Sequence, residues 1–346
     1  MKHDDQNATN RRWLLKHYPD GMPTVDTWEL DTQAVPEPGP GQILVKAHWL
    51  SVDPYMRGRM SPAKNYTKGV DIGAVMHGAG VGEVIASNHP AWRPGDVAES
   101  MSFGWQEWSV LTPDLPGAAG VNKIDPALAP VQSSLSWLGM PGLTAYFGLL
   151  EIGRPKPGDT VLVSAASGAV GQVVGQIAKL AGCRAVAIAG TDDKLSWCRE
   201  LGYDTGINYK AGGDLTAAVA KCCPDGVDIY FDNTGGVIQD AAIKNLAVGA
   251  RVVICGRISE AGRFGKPDLG ERLLGNLIVN RASIHGLLVM DWWHRRDEAL
   301  KRLSAWGRTG KIKFREDVLD GIERMPEAFL RLLDGTNFGK QLVRLS

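Results

Sequence analysis

The sequence has no cysteine before Cys183, no CxxC pair, no apolar run of the ~18 residues a membrane helix needs, and no excess of either charge. Each absence excludes something. The cysteines Cys183, Cys198, Cys222, Cys223 and Cys255 are odd in number and lack paired spacing, so neither a disulfide framework nor a structural zinc knot is expected. They are read as reduced thiols. Basic and acidic residues number 38 each, so no net field would draw the chain to nucleic acid or to anionic lipid. The first twelve residues are polar, of mixed charge, and lack the apolar centre of a signal peptide, which makes a cytoplasmic protein the expectation.

What is present suits a folded enzyme of two domains. A chain of 346 residues exceeds one comfortable core, and 44% hydrophobic with 22% charged residues is ordinary globular composition. Residues 1–127 carry short β-like runs such as Ile43-Leu44-Val45, broken by turn clusters such as Pro36-Glu37-Pro38-Gly39-Pro40-Gly41, and read as an irregular, mostly β domain. From residue 128 to 308 apolar runs alternate with amphipathic stretches, the pattern of a parallel sheet wrapped by helices. The expected strands are 160–165, 184–189, 227–232, 251–255 and 282–287, with helices at 170–181, 194–201 and 237–246. Residues 309–346 are expected to return to the first domain through a strand, a helix near 326–333 and a last strand at 340–345.

The strongest local signal is the strand beginning Thr160-Val161-Leu162-Val163, followed by a Gly-rich turn and a helix. Such a turn lets backbone amides and a helix N-terminus approach a pyrophosphate, as in the Rossmann-type doubly wound fold. The fingerprint is partial: Ala166 stands at the first glycine position of GxGxxG, while Gly168 and Gly171, flanking Ala169 and Val170, fill the others. The next strand ends at Gly190, where an NAD site usually carries an acid, and Lys194 follows closely, which favours NADP(H). Asp192 and Asp193 are open to two readings, as ribose ligands or as acids favoured at a helix N-terminus. Lys194 can also be read as a solvated surface lysine.

Zinc ligands are missing from the positions where a zinc alcohol dehydrogenase would hold them. Leu50 stands where a ligand cysteine would be, the turn that would carry a His-Glu pair reads His77-Gly78, and the seven histidines show no ligand spacing. His77 is read as a turn or packing residue. Without a Lewis acid the chemistry shifts toward conjugated double bonds, where hydride adds at the β carbon and hydrogen bonds hold the developing enolate.

The motifs Asn10-Arg11-Arg12-Trp13, Val52-Asp53-Pro54-Tyr55-Met56-Arg57, Gly80-Val81-Gly82-Glu83-Val84, Met140-Pro141-Gly142-Leu143-Thr144, Phe231-Asp232-Asn233-Thr234-Gly235-Gly236 and Asn337-Phe338-Gly339-Lys340 extend over nearly the whole chain. With them the sequence resembles the zinc-independent branch of the medium-chain dehydrogenase/reductase superfamily, in the group of prostaglandin, alkenal double-bond and curcumin reductases. The resemblance implies an α/β protein, a Rossmann domain plus a GroES-like substrate domain, and a homodimer. It further implies that Gly168 to Gly171 hold the pyrophosphate and that Lys194 and Tyr209 meet the 2′-phosphate. Asn233, Cys255, Gly256, Arg257, Ile258, Ser259, Leu287, Leu288 and Val289 would then line the way to the nicotinamide, with Met140 and Thr144 beside its ring and Asn337 from the C-terminal tail. Cys255 is read as a buried strand-end thiol, not a nucleophile.

One departure stands out. Where the family carries a Ser-x-Tyr stretch, this chain has Ser259-Glu260-Ala261, and Ala261 has no hydroxyl to steady an enolate. Tyr55 is the candidate catalytic residue in its place, the alternative being a ring that only packs. Trp105, Trp292 and Trp293 are candidate pocket walls. The expected reaction is NADPH-dependent reduction of the C=C bond of a small hydrophobic α,β-unsaturated carbonyl compound. The alternatives are a quinone reductase and a non-catalytic NADPH-binding protein.

Overall fold

The structure, a computed structural model, describes residues 8–63 and 65–345; residues 1–7 of the polar N-terminal stretch lie outside the described residues. Along the chain, β1 (Thr9–Leu15) pairs antiparallel with β2 (Trp28–Ala34). β3 (Ile43–Ser51), β4 (Gly80–Ser87), β5 (Val97–Ser100), β6 (Trp108–Leu111) and β7 (Val121–Ile124) follow, with the single helical turn α1 (Met56–Arg59) after Pro54. Next come α2 (Met140–Phe147), β8 (Thr160–Val163), α3 (Gly171–Leu180), β9 (Arg184–Ala189), α4 (Asp192–Glu200), β10 (Thr205–Asn208), α5 (Leu215–Cys222), β11 (Val227–Asp232), α6 (Gly236–Ile243), β12 (Leu246–Ile254), α7 (Leu274–Asn280) and β13 (Ser283–Gly286). The chain ends through α8 (Arg296–Arg308), β14 (Glu316–Asp320), α9 (Met325–Asp334) and β15 (Lys340–Arg344).

Two compact units result. One comprises the chain up to Leu135 with Glu316–Asn337 and the stretch from Gln341 onward; the other comprises Ser136–Arg315 and Phe338–Lys340. In the first, a sheet of order β14-β15-β3-β4-β5-β7, with β6 also on β3, brings the last strand onto an early one, Leu342 opposite Ser51. In the second, a parallel sheet has the order β10-β9-β8-β11-β12-β13. The fold class is therefore α/β, a Rossmann-type doubly wound parallel sheet with a separate, mostly β domain, as expected.

The parallel strands read as unbroken apolar runs because both their faces are covered. Val161 and Val163 enter one core with Val173, Val174 and Ile177 of α3, while Leu162 enters the opposite core with Val186, Ile188 and Tyr230. Each such side chain contributes about 1.5–3 kcal/mol by leaving water. Strand β13 closes one end of the sheet, and beside it Leu274, Ile278 and Val279 of α7 remain largely exposed. Among the described residues no helix is long and apolar enough to cross a membrane.

The expected strand 160–165 stops at Val163 and the expected strand 282–287 is only Ser283–Gly286, because the chain turns out of the sheet into loops at those ends. Helix α4 begins two residues early, at Asp192, since Thr191 caps it by accepting the Lys194 N–H at 3.3 Å. Strand β10 and helix α5 were absent from the expectation. Thr205-Gly206-Ile207-Asn208 has one large apolar residue and two poor strand formers, and its pairing with β9 rather than its composition makes it a strand.

Candidate functional site

In a parallel sheet all strand C-termini lie at one edge, and ligands bind outside that edge where the strand order reverses. Here the reversal falls between β8 and β11, neighbours whose onward crossovers run to opposite sides. The loops carrying Gly168 to Gly171, Gly190, Tyr209, Asn233, Cys255 to Ser259 and Leu287 to Val289 all follow these C-termini.

The turn after β8 is built for close approach. A Cβ at Gly171 would lie 2.4 Å from the Ala165 carbonyl oxygen, so only glycine lets α3 start this near the strand. The Ala166 N–H donates to Ile188 O at 3.1 Å and the Gly168 N–H to Ala165 O at 2.9 Å, which fixes the loop. The left-handed backbone falls on Ala165, at φ 46°, rather than on Ala166, where the fingerprint places its first glycine. The turn keeps the shape of a phosphate loop without that glycine.

The switch point is held by a carboxylate that sequence reasoning did not single out. Asp232, fully buried, accepts through Oδ1 from Ser164 Oγ, Tyr230 Oη, Thr234 N and Oγ1 and Gly235 N, and through Oδ2 from Gln239 Nε2, at 2.8–3.3 Å. Asn233 is tied to the neighbouring strand end, its N–H donating to Ser164 Oγ at 2.8 Å and its Nδ2 to Ser164 O at 2.7 Å. Gly256 lies against it, a Cβ there being 3.1 Å from Asn233 O. Only the spacing Asp232-Asn233-Thr234-Gly235 hinted at this knot.

At the tip of β9, Gly190 is flanked by Tyr209 and by Lys210, the second of which the sequence did not single out. Asp192, one of the two acids left open, has its Oδ1 engaged by Asn208 Nδ2 at 2.9 Å, and Asp193 is exposed. Lys194 lies in the first turn of α4, half-buried. A strand tip with no acid at Gly190, and with Tyr209 and Lys210 against it, fits a 2′-phosphate better than a bare 2′-hydroxyl.

Other candidate residues show less. The Thr144 hydroxyl donates to Met140 O at 2.7 Å, one turn back in α2, so its oxygen retains accepting capacity only. Burial and Asp232 push the Cys255 thiol up to about 12, which disfavours the thiolate a nucleophile would need. Ser259 Oγ donates to Thr234 O at 2.6 Å, Arg257 pairs with Asp268 at 2.5 Å, and Ala261 is buried in the turn Ile258–Arg263. Arg257 thus has a structural partner of its own. The Leu287 N–H donates to Ile254 O at 2.9 Å, carrying Leu288 and Val289 past the sheet edge. Asn337, buried, belongs to the other unit.

Within the first unit Tyr55 meets His77, its phenol oxygen 3.3 Å from Nδ1 and the rings edge-to-face at 5.8 Å. Of the two readings, turn or packing residue, the contact favours packing. Burial, with Asp53 nearby, raises the phenol well above its usual range, so it stays protonated. Burial and the Arg59 charge push the imidazole down to about 4, so it is neutral. Trp105 is not a pocket wall: it is fully buried against Trp28 and Phe329, and Trp292 stacks on Phe147.

The neutral imidazole couples the fold to pH. Between about 6.5 and 4 the unfolded chain binds a proton that folded His77 refuses, so stability is complete above that window and falls by about 3 kcal/mol as pH drops through it. His77→Gln is expected to remove that share of the acid sensitivity, measured as a flatter dependence of urea-unfolding free energy on pH between 4 and 6.5. An unchanged slope would place the imidazole in water.

Residues 11–117 match the family described as the N-terminal domain of oxidoreductase, and residues 169–305 match the zinc-binding dehydrogenase family. No ligand set accompanies the second description, since among the described residues no three His, Cys, Asp or Glu gather as a metal site. The chain is 40% identical to the NADPH-dependent curcumin reductase of Escherichia coli over 99% of this chain and 98% of that protein. It is 38% identical to the NADP(+)-dependent 2-alkenal reductase of Nicotiana tabacum over 99% of each. The crystal structure of CurA in complex with NADPH from Vibrio vulnificus has 39% identity, a TM-score of 0.89, and coverage of 97% of this chain and 99% of that one.

Proposed function

The chain belongs to the zinc-independent medium-chain dehydrogenase/reductase family of NADP-dependent oxidoreductases, and from that premise we propose that it saturates the conjugated C=C bond of a hydrophobic α,β-unsaturated ketone or aldehyde. When bound, NADPH supplies the hydride for the β carbon. The observation that carries the reading is the Tyr55 phenol oxygen 3.3 Å from His77 Nδ1, in a buried corner that raises the phenol and lowers the imidazole. With its Nδ1–H donated to the phenol oxygen, His77 leaves the phenol O–H to donate to a developing enolate oxygen. The role falls to Tyr55 because Ala261 brings no hydroxyl.

The nucleotide-binding residues keep the roles the resemblance implies. Gly168 to Gly171 hold a pyrophosphate through the amides of Ala169, Val170 and Gly171, the Gly168 N–H being committed to Ala165 O, while Lys194 and Tyr209 meet a 2′-phosphate and Asn233, Cys255 to Ser259 and Leu287 to Val289 line the approach to the nicotinamide. Met140 and Thr144 stand beside its ring, and Asn337 contributes from the C-terminal tail. The common sheet edge supports the roles of the loop residues, and the acid-free tip at Gly190 those of Lys194 and Tyr209.

The test is product analysis with NADPH deuterated at the transferred position and a simple enone. The expected product is the saturated ketone with deuterium on the β carbon. An allylic alcohol overturns the reading, as do turnover only of quinones to hydroquinones and NADPH binding without any oxidation of it.

A further inference from the structure

Two side chains, Tyr209 and Lys210, meet at Gly190, and the function proposed above uses only the first. A Cβ at Gly190 would lie 3.4 Å from Tyr209 Cε1 and 3.4 and 3.5 Å from Lys210 Cε and Cδ. The lysine stem therefore lies over the strand tip at which an NAD enzyme would hold its ribose-binding acid. Its ammonium is 5.8 Å from the centre of the Tyr209 ring and forms no ion pair among the described residues. Asn208 braces the corner from both sides: its Oδ1 accepts the Lys210 N–H at 3.1 Å, and its Nδ2 donates to Asp192 Oδ1 at 2.9 Å. Asp192 is engaged with an amide, while Lys210, with no carboxylate partner among the described residues, lies over the tip.

We propose that Lys210 is a second cofactor-discriminating cation, binding the 2′-phosphate of NADP(H) together with Tyr209. The proposal rests on the NADPH reading and adds to it a residue for which neither the sequence nor the resemblance supplied a role. A monoanionic or dianionic phosphate at Gly190 would meet the ammonium of Lys210 beside Tyr209, with Lys194 following in the first turn of α4. Two cations give the site a preference that one lysine shared with a helix terminus would supply only weakly. The adenosine of NAD(H), with a hydroxyl in that place, gains nothing from either.

The experiment compares binding of 2′,5′-ADP and of ADP by calorimetry in the wild type, in Lys210→Met, which keeps the stem without the charge, and in Lys210→Arg. Wild type is expected to prefer 2′,5′-ADP. Lys210→Met should weaken that ligand about tenfold or more while leaving ADP within a factor of about two, as loss of one charge-assisted hydrogen bond implies, and Lys210→Arg should restore most of the preference. No preference in the wild type overturns the NADPH reading and this assignment with it. A wild-type preference that survives Lys210→Met, or a loss of both ligands alike, overturns the assignment alone.

Discussion

Tyr55→Phe is expected to lower kcat by about one to three orders of magnitude, the usual effect of removing one donor aimed at a developing oxyanion. The substitution removes one oxygen and keeps the ring, so the edge-to-face contact with His77 and the packing around α1 persist. KM should change little, because the donor acts where negative charge develops and not on the ground-state carbonyl. His77→Gln should lower kcat less, since it disturbs the orientation of the phenol and leaves its proton in place. A Tyr55→Phe enzyme with the wild-type rate and unchanged thermal midpoint would reduce the residue to packing. A fall in the midpoint matching the fall in rate would show a damaged fold.

The second large effect is expected at Asp232. Asp232→Ala strips an acceptor from six hydrogen bonds at once and leaves Tyr230, Thr234, Gln239 and the Gly235 amide facing a buried space. Buried donors without partners cost about 1–3 kcal/mol each, although neighbouring groups re-pair in part, so a loss of about 3 kcal/mol or more is expected. Against a typical total of about 5–15 kcal/mol that is a large fraction. Asp232→Asn keeps the Oδ1 acceptor, and Gln239 can turn its own oxygen to the new amide, so its loss should be smaller. Urea denaturation of the three proteins tests the order. Loss of less than about 1 kcal/mol in Asp232→Ala would mean that water reaches the switch point. The same carboxylate supports Asn233 and Ser164, so NADPH binding should weaken along with the fold.

Much of this was legible beforehand, for reasons visible in particular residues. Val161-Leu162-Val163 reads as a doubly covered strand because both its faces are buried, and Gly171 reads as a close approach because no other residue fits there. The acid missing at Gly190 is likewise a local fact. Other features left little local trace. β10 was missed because its strand state comes from a neighbour, and the partner of His77, read as a turn or packing residue, stayed unknown because nothing near it in sequence shows that the Tyr55 phenol lies 3.3 Å away.

The sequence by itself determined the alternation of strands and helices that marks the α/β class, the family, the cofactor class and the empty zinc positions. All of these depend on residue type at a position or on spacing within one element. Only the tertiary structure decided that Asp232 ties the switch point together, that Asn208 engages Asp192, that Lys210 lies over Gly190, and that the left-handed residue of the phosphate turn is Ala165. The physical reason is the same in each case. Periodicity states which face of an element is buried, whereas a hydrogen bond or a charge is placed by the partner brought to it from a distant part of the chain.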